Sequence, residues 1–383
     1  MLSPTYSSRL RSMSESLKRA RQISSAATRR STMPAIAEKR LCLPEKEAGD
    51  EQRISSSSQP FSSPSFPSQP SSSLTSSQSS EDAYKDSSQD TSGTLFRQLF
   101  KYYKKRVPPP DLSEVVDCRT INATPLPADR LPSSSLCHLL GLRPSDQWRL
   151  VEFPDRPGLF ILSDMLRDEA HLPWISRTLQ YANHPDSSTN YALHNDKPFD
   201  VSRDGASLRW TTLGVQYDWN TKEYPTSGPS LPTELKQLGK VIAEVLGLGE
   251  MRPDAAIVNY YPQKSTLSPH VDRSERAVDV PLVSLSLGRG GIFLCGGPSL
   301  DDPILPLWLF SGDVLVMHGC QRLVYHAVPA IQKPEDGEPL PSAVSSPPWD
   351  LPETPSKPAP INPFVRQYAE RFRVNITIRQ VNP

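Results

Sequence analysis

The spacing of hydrophobic residues predicts helices early in the chain and strands later. Apolar residues three and four apart predict one helix over residues 95–103, before the prolines at 108–110, and a second over 231–248. From residue 256 the period changes to two, which is typical of strands. The predicted strands are 256–261, 280–287, 291–294, 307–310, 314–317, 322–328 and 371–381.

Many short strands behind a few helices predict an α+β fold, a double-stranded β-helix (jelly roll) with supporting N-terminal helices. Lysines and arginines are interleaved in sequence with the apolar residues of helix 95–103, so the helix suits docking either on its own domain or on phosphate. Docking on its own domain is the preferred interpretation, because a short isolated helix is unstable in water.

Residues 1–94 form a basic, serine-rich segment that we expect to be a disordered tail. Serine occupies 17 of the 40 positions from 51 to 90, and such a composition buries too little apolar surface to order the chain. Tyr6, Leu10, Met13 and Leu17 fall on one helical face, as in a mitochondrial transit peptide; a solvated, phosphorylatable tail explains the same segment equally well. The location therefore stays open between mitochondrion and nucleus or cytoplasm.

The ordered domain is predicted to span residues 95–383, interrupted by a proline-rich loop at 332–363. Ten prolines lie in that stretch and hydrophobic periodicity is absent from it, so it cannot form a strand.

Composition excludes two classes of protein. No run approaches the roughly 18 apolar residues of a membrane-spanning helix. The five cysteines include no CxxC pair, which excludes a thiolate zinc site. The 42 basic and 42 acidic residues balance, so any binding of nucleic acid requires a local basic patch.

A His-x-Asp motif provides the first candidate chemistry. His270 and Asp272 lie two residues apart, on the same side of an extended chain. Two histidines and one carboxylate on one face of Fe(II) leave positions open for oxygen chemistry. On spacing, the third ligand is His326 or His318; His326 is preferred because it lies within an apolar strand pattern, whereas His318 adjoins a glycine turn.

The last predicted strand carries a polar face opposite an apolar one. Arg373, Asn375, Thr377 and Arg379 alternate with Val and Ile residues. Arginine suits bidentate binding of a carboxylate, so this face predicts an anion site inside a barrel; a solvated edge strand is the alternative.

The two sites together suggest one cosubstrate. A 2-oxo acid that loses carbon dioxide supplies the electrons that iron needs to activate O2, and its distal carboxylate would reach Arg373.

At this point the chain resembles the AlkB family of Fe(II)/2-oxoglutarate dioxygenases, most closely its first eukaryotic homologue. The resemblance rests on His270-x-Asp272, His326 and Arg373-x-Asn375-x-x-x-Arg379, and on the segments Leu208-Arg-Trp-Thr-Thr212, Asn259-Tyr-Tyr261 and Arg322-Leu-Val-Tyr-His326 in the same order. It spans about residues 95–381.

This resemblance implies Fe(II) held by His270, Asp272 and His326, with 2-oxoglutarate and O2 as the other cofactors. The 2-oxoglutarate residues it implies are Asn259, Tyr261, Arg373 and Asn375, with Ser284 and Arg379 nearby. Trp210 and Tyr217 match a lid that contacts the nucleotide, although from residues alone both suit a core.

The activity it implies is oxidative demethylation of N-methylated bases, N-methyladenine in tRNA, other RNA or DNA, releasing formaldehyde, CO2 and succinate. Ser274 replaces an acid that touches the base in the bacterial enzyme, so base preference cannot be copied from it. The alternatives are a non-catalytic nucleic-acid or protein binding module on the same fold, and a protein hydroxylase or demethylase. We expect a monomer.

Overall fold

The computed structural model describes residues 93–218, 220–337 and 362–383. The expected disordered tail, with its transit-peptide pattern, lies outside the described residues apart from residues 93 and 94. Most of the expected proline-rich loop, residues 338–361, also lies outside them.

The described residues form helices mainly before residue 246 and strands mainly after it. The α-helices are α1 (Leu95–Lys104), α2 (Ser134–Leu139), α3 (His171–Tyr181), α4 (Val201–Asp204), α5 (Thr233–Val245) and α6 (Pro363–Ala369). The strands are β1 (Val116–Asp117), β2 (Arg149–Glu152), β3 (Leu159–Ser163), β4 (Ser188–Thr189), β5 (Trp210–Gly214), β6 (Ala255–Pro262), β7 (Leu267–His270), β8 (Leu282–Gly288), β9 (Gly291–Cys295), β10 (Leu305–Leu309), β11 (Val314–Met317), β12 (His326–Ile331) and β13 (Phe372–Arg379).

These strands build two sheets. The larger has the order β2-β3-β11-β8-β13-β6-β5-β4 and the smaller the order β1-β10-β9-β12-β7. Neighbouring strands are antiparallel except β1 and β10. The observed architecture is therefore of the expected α+β class, with sheets and supporting helices.

Two apolar clusters hold these layers together. One joins α3, α5 and α6 to the larger sheet. The other lies between the sheets and includes Ile161 and Leu315 from the larger one and Leu307 and Val328 from the smaller. Because apolar side chains of both sheets meet there, the sheets face each other across a shared core.

Helix α1 packs against β7 and β12 of the smaller sheet. Its buried face consists of Phe96, Leu99, Phe100 and Tyr103. The preferred interpretation from the sequence, docking on its own domain, is confirmed.

The strand predicted over residues 322–328 is wrong at its start. A 3-10 turn over Gly319–Gln321 runs into a turn at Arg322, and the strand begins only at His326. Arg322 is almost fully buried and its guanidinium donates hydrogen bonds to main-chain oxygens of two loop residues, Asp272 and Val280. These bonds hold the chain in a turn that an alternating apolar pattern does not reveal.

Candidate metal and cosubstrate site

Antiparallel pairing brings the two histidines together. His270 ends β7, His326 begins β12, and the two are direct partners in the register of that strand pair. Their ring centroids lie 4.3 Å apart. Asp272 follows two residues after His270, with its carboxylate oxygens 3.9 Å from His270 Nε2 and 3.8 Å from His326 Nε2. One ligand atom from each residue lies within 4.8 Å of the others, the spacing expected for three ligands of one ion.

The protonation of the histidines fits a metal site. His270 Nδ1 lies 2.8 Å from the Ser268 carbonyl oxygen, and His326 Nδ1 lies 3.1 Å from that of Val324. A carbonyl can only accept, so each Nδ1 is the donor of its hydrogen bond, and each Nε2 is left on the side of Asp272. Burial lowers the pKa of His326 to about 4, which keeps its ring neutral. The residues present therefore fit a divalent cation.

His318 does not join this group. Its main-chain N–H donates to the Gly158 carbonyl, and its Nδ1 is buried without a partner among the described residues. Between the two histidines left open by spacing, the structure brings His326 to Asp272.

Asp272 is held by two arginines. Arg379 Nη2 lies 3.0 Å from Asp272 Oδ2, and Arg322 Nη1 donates to the Asp272 carbonyl at 2.6 Å. Both arginines also contact the buried Glu275, each at 3.2 Å. Burial alone would raise the pKa of Asp272, but the nearby cation Arg379 outweighs it and holds that pKa far below its usual range. The carboxylate is thus ionised and oriented before any metal binds.

Beside this group lies the patch expected to hold the cosubstrate. In the pairing of β13 with β6, Arg373 is the partner of Tyr261 and Asn375 the partner of Asn259. The Asn375 amide donates to Ser284 Oγ at 2.8 Å. The structure therefore places all six expected 2-oxoglutarate residues on the neighbouring strands β6, β8 and β13. Five of them lie together, namely Asn259, Tyr261, Ser284, Arg373 and Asn375.

Arg373 is buried between the two sheets. It donates to the Leu309 carbonyl on β10 at 3.0 Å and to Ser286 Oγ on β8 at 2.8 Å. Its Nε has no partner among the described residues, and burial lowers its pKa to about 10. A buried cation with an unused donor favours an anion at this point.

Gly291 makes room for that side chain. A Cβ on Gly291 would lie 2.9 Å from Arg373 Cδ, closer than side-chain carbons approach each other. The small residue at the start of β9 therefore permits Arg373 to reach between the sheets.

The edge-strand interpretation of β13 is wrong. This strand lies between β8 and β6 inside the larger sheet, and Arg373 and Arg379 are both buried. Arg379 occupies a different place from the other cosubstrate residues, because it is bonded to Asp272, Glu275 and the Tyr224 hydroxyl.

The two expected lid residues have different surroundings. Trp210 pairs in register with Asn259 and is partly exposed. Tyr217 packs edge-on against Tyr224, with ring centroids 5.1 Å apart. Through Tyr224, which accepts a hydrogen bond from Arg379, Tyr217 is connected to the surroundings of Asp272.

With this geometry in place, comparison with known proteins gives a family. The model of the 2OG-Fe(II) oxygenase superfamily matches residues 158–379. The chain belongs to this superfamily.

Its relatives narrow the assignment. The chain is 30% identical to the mouse nucleic acid dioxygenase ALKBH1 over 75% of this chain and 83% of the relative. It is 33% identical to the Schizosaccharomyces pombe tRNA demethylase abh1 over 76% and 96%. It is 30% identical to the Arabidopsis thaliana DNA N(6)-methyladenine demethylase ALKBH1A over 77% and 98%. The resemblance to the first eukaryotic AlkB homologue is confirmed.

Membership in the 2OG-Fe(II) oxygenase superfamily also confirms the expected cofactors, Fe(II), 2-oxoglutarate and O2. The His270, Asp272 and His326 group is the only set of three or more potential metal-binding side chains that the described residues place together. None of the described helices is long and apolar enough to cross a membrane.

Sequence reasoning missed four residues of this oxygenase site. Ser286 contacts Arg373, and Glu275, Arg322 and Tyr224 surround Arg379 and Asp272. Glu275 and Arg322 are close in sequence to His270 and His326, which was the available signal. Their roles depend on contacts between loops, which spacing does not encode.

Proposed function

We propose that the protein oxidatively demethylates N-methylated bases in nucleic acid, N-methyladenine in tRNA, other RNA or DNA, releasing formaldehyde, CO2 and succinate. The observation that carries this proposal is a pair of neighbouring sites, the His270, Asp272 and His326 group and the buried Arg373 on the adjoining sheet. The relatives named as a nucleic acid dioxygenase, a tRNA demethylase and a DNA N(6)-methyladenine demethylase support the substrate class.

We assign His270, Asp272 and His326 as the Fe(II) ligands. Arg373 would bind the distal carboxylate of 2-oxoglutarate, with Asn259, Tyr261 and Asn375 around the rest and Ser284 and Arg379 nearby. Trp210 and Tyr217 would contact the target nucleotide.

We also propose that the two sheets form a double-stranded β-helix. From β6 to β13 the strands belong in turn to the larger, smaller, larger, smaller, smaller, larger, smaller and larger sheet. Such alternation between facing sheets is what a jelly roll requires.

The protein's own residues would bind Fe(II) and 2-oxoglutarate and orient them. When bound, Fe(II) with 2-oxoglutarate and O2 supplies the oxidation of an N-methyl C–H bond, coupled to loss of CO2. Arg379 and Arg322 hold Asp272 ionised and fixed, and Arg373 orients the cosubstrate. The hydroxymethyl product then loses formaldehyde as the nitrogen regains its proton.

An exposed basic face near the site favours nucleic acid over a protein substrate. Helix α1 and the residues after it expose five cations, and α1 packs on the strands that carry His270 and His326. The five are Arg97, Lys101, Lys104, Lys105 and Arg106. Such a surface suits phosphate, and a target base must leave its stack to reach the iron, which costs least in loops and single strands.

Formaldehyde release from a panel of N-methyladenine oligonucleotides tests the proposal. We expect the wild type to release formaldehyde and the folded Asp272→Ala variant to release none, because that variant lacks the anionic ligand. Turnover that survives in the variant would rule out the assigned triad. Turnover of 2-oxoglutarate by the wild type without demethylation of any oligonucleotide would favour the protein hydroxylase alternative, and absence of all turnover would favour the binding module.

A further inference from the structure

A cavity apart from the residues assigned to Fe(II) and 2-oxoglutarate lies beside the segment that carries Tyr217 and Tyr224. We call residues 215–218 and 220–230 the lid segment. The cavity has a volume of about 560 Å³, and its walls are residues 227–231 at the end of the lid segment, one face of α5 and residues 250–254 before β6. None of the residues assigned to Fe(II) or 2-oxoglutarate lines it.

The charges of the cavity favour an anion. Lys236 and Lys240 both line it, four residues apart on one face of α5. The two acids of the lining are already engaged: Glu250 pairs with Arg252 at 3.2 Å, and Asp254 accepts hydrogen bonds from the main chain of residues 381 and 382. Lys236 donates to the Ser230 hydroxyl, which is a neutral partner. The lining therefore carries three cations, Lys236, Lys240 and Arg252, against these two acids, one positive charge in excess.

The cavity also offers an unused acceptor. Gln237 Oε1 is buried in the same wall and receives no hydrogen bond from the described residues. A buried acceptor of this kind calls for a donor from water or a ligand. A nucleotide supplies both requirements, a phosphate for the lysines and a ribose hydroxyl or base amino group for the amide.

The cavity and the oxygenase site share the lid segment. Val215 lines the cavity and belongs to one apolar cluster with Tyr217 and Tyr224, and Tyr224 contacts Arg379. From Arg379 to Asn382, which also lines the cavity, the chain spans at most about 11 Å. A short stretch of chain therefore connects the surroundings of Asp272 to the cavity.

We propose that this cavity binds the phosphate and sugar of a nucleotide flanking the target base in a single-stranded substrate. The proposal rests on the proposed function and adds to it a second contact on the strand. It predicts that Lys236 and Lys240 contribute to strand binding through phosphate contacts.

The salt dependence of binding tests this. The probe is an unmethylated, single-stranded oligonucleotide of about 12 nucleotides, and binding to the full-length protein is followed by fluorescence anisotropy. Each lost phosphate contact lowers the slope of log affinity against log salt by about 0.7 for single strands. Between 50 and 200 mM salt both proteins should lose affinity, and the fold-loss of the Lys236→Ala/Lys240→Ala variant should be about seven times smaller than that of wild type.

The control is Lys197→Ala/Lys333→Ala, which removes two exposed lysines outside the cavity lining. The control should keep the wild-type slope, because its two lysines lie outside the cavity, while the cavity variant should show a smaller slope. Equal slopes for all three proteins would overturn the proposal. A melting-temperature increase with inorganic phosphate that requires Lys236 and Lys240, without any change of slope, would assign the cavity to free phosphate and also overturn it. Because the assay measures binding, failure of demethylation leaves its result interpretable.

Discussion

At the scale of single residues, the site depends on how Asp272 is held. Its carboxylate contacts Arg379 and its main-chain carbonyl contacts Arg322. The Glu275 carboxylate forms an ion pair with each of these two arginines. Glu275 is almost fully buried, so its charge is little screened. It therefore fixes both cations, and through them the position of Asp272, a proposed metal ligand.

Glu275→Gln should weaken iron binding without touching any assigned ligand. The amide keeps the shape but lacks the charge that anchors both arginines. We expect the Fe(II) concentration for half-maximal 2-oxoglutarate turnover to rise about 10- to 100-fold, as for other residues that orient metal ligands. Glu244→Gln, on the exposed face of α5, is the control. A folded Glu275→Gln protein with the wild-type iron requirement would contradict this role.

The choice between two histidines gives a second test. His326→Ala should abolish iron-dependent turnover, whereas His318→Ala should keep it, because only His326 lies beside Asp272. Fe(II) titration of both variants measures this. Loss of iron binding in His318→Ala alone would reverse the assignment.

Sequence spacing could predict the proposed metal ligands, but not the residues that hold the site in position. His270 and Asp272 are two residues apart, and β13 shows its polar face through strict alternation, so both were accessible from the sequence. Glu275, Arg322 and Ser286 act through contacts between segments far apart in the chain. Such contacts arise only when the loops are folded.

At the scale of elements, the register of β7 with β12 determines the site. His270 and His326 are direct partners, so a slip of one residue would turn one of them to the opposite face. The sequence predicted β6, β8, β9, β10, β11 and β13 within a few residues. It did not predict β2, β3 or β7, which are short strands without a long alternating pattern. It also did not predict α3, in which the consecutive residues 171–175 are all buried, so that no single apolar stripe marks the helix.

Helix α3 is tied to the sheet through a histidine that titrates. His171 Nδ1 lies 2.7 Å from Ser311 Oγ in the turn before β11. Burial lowers the pKa of His171 to about 4 from an unfolded value of 6.5. The unfolded chain therefore gains a proton first as the pH falls, so this part of the stability is complete above pH 6.5 and is lost on descending towards pH 4.

His171→Gln should remove that dependence. The stability difference between wild type and variant should shrink by about 2 kcal/mol between pH 7 and pH 5, because only the wild type has this group to protonate. Urea unfolding at the two pH values measures it. A difference that stays constant with pH would mean that the native protein accommodates the charged ring.

At the scale of the whole molecule, Arg373 connects the two sheets at the patch expected to hold the cosubstrate. Arg373 comes from the larger sheet and donates to Leu309 of the smaller. A dicarboxylate bound there would supply an anion to this buried cation and so stabilise the contact between sheets. Binding should therefore appear as increased stability of the entire domain.

Arg373→Ala should separate the effect of 2-oxoglutarate from that of iron. Under anaerobic conditions with Fe(II), 2-oxoglutarate at a hundredfold excess over its Kd should stabilise the wild type by about 2.7 kcal/mol, a melting-temperature increase of about 5 °C. The variant should keep the increase caused by Fe(II) and lose the one caused by 2-oxoglutarate, because its metal-binding group is intact. Arg371→Ala, which removes an exposed arginine just before β13, should retain both. Equal loss of the two increases in Arg373→Ala would place this residue in the general support of the site and not in the binding of the carboxylate.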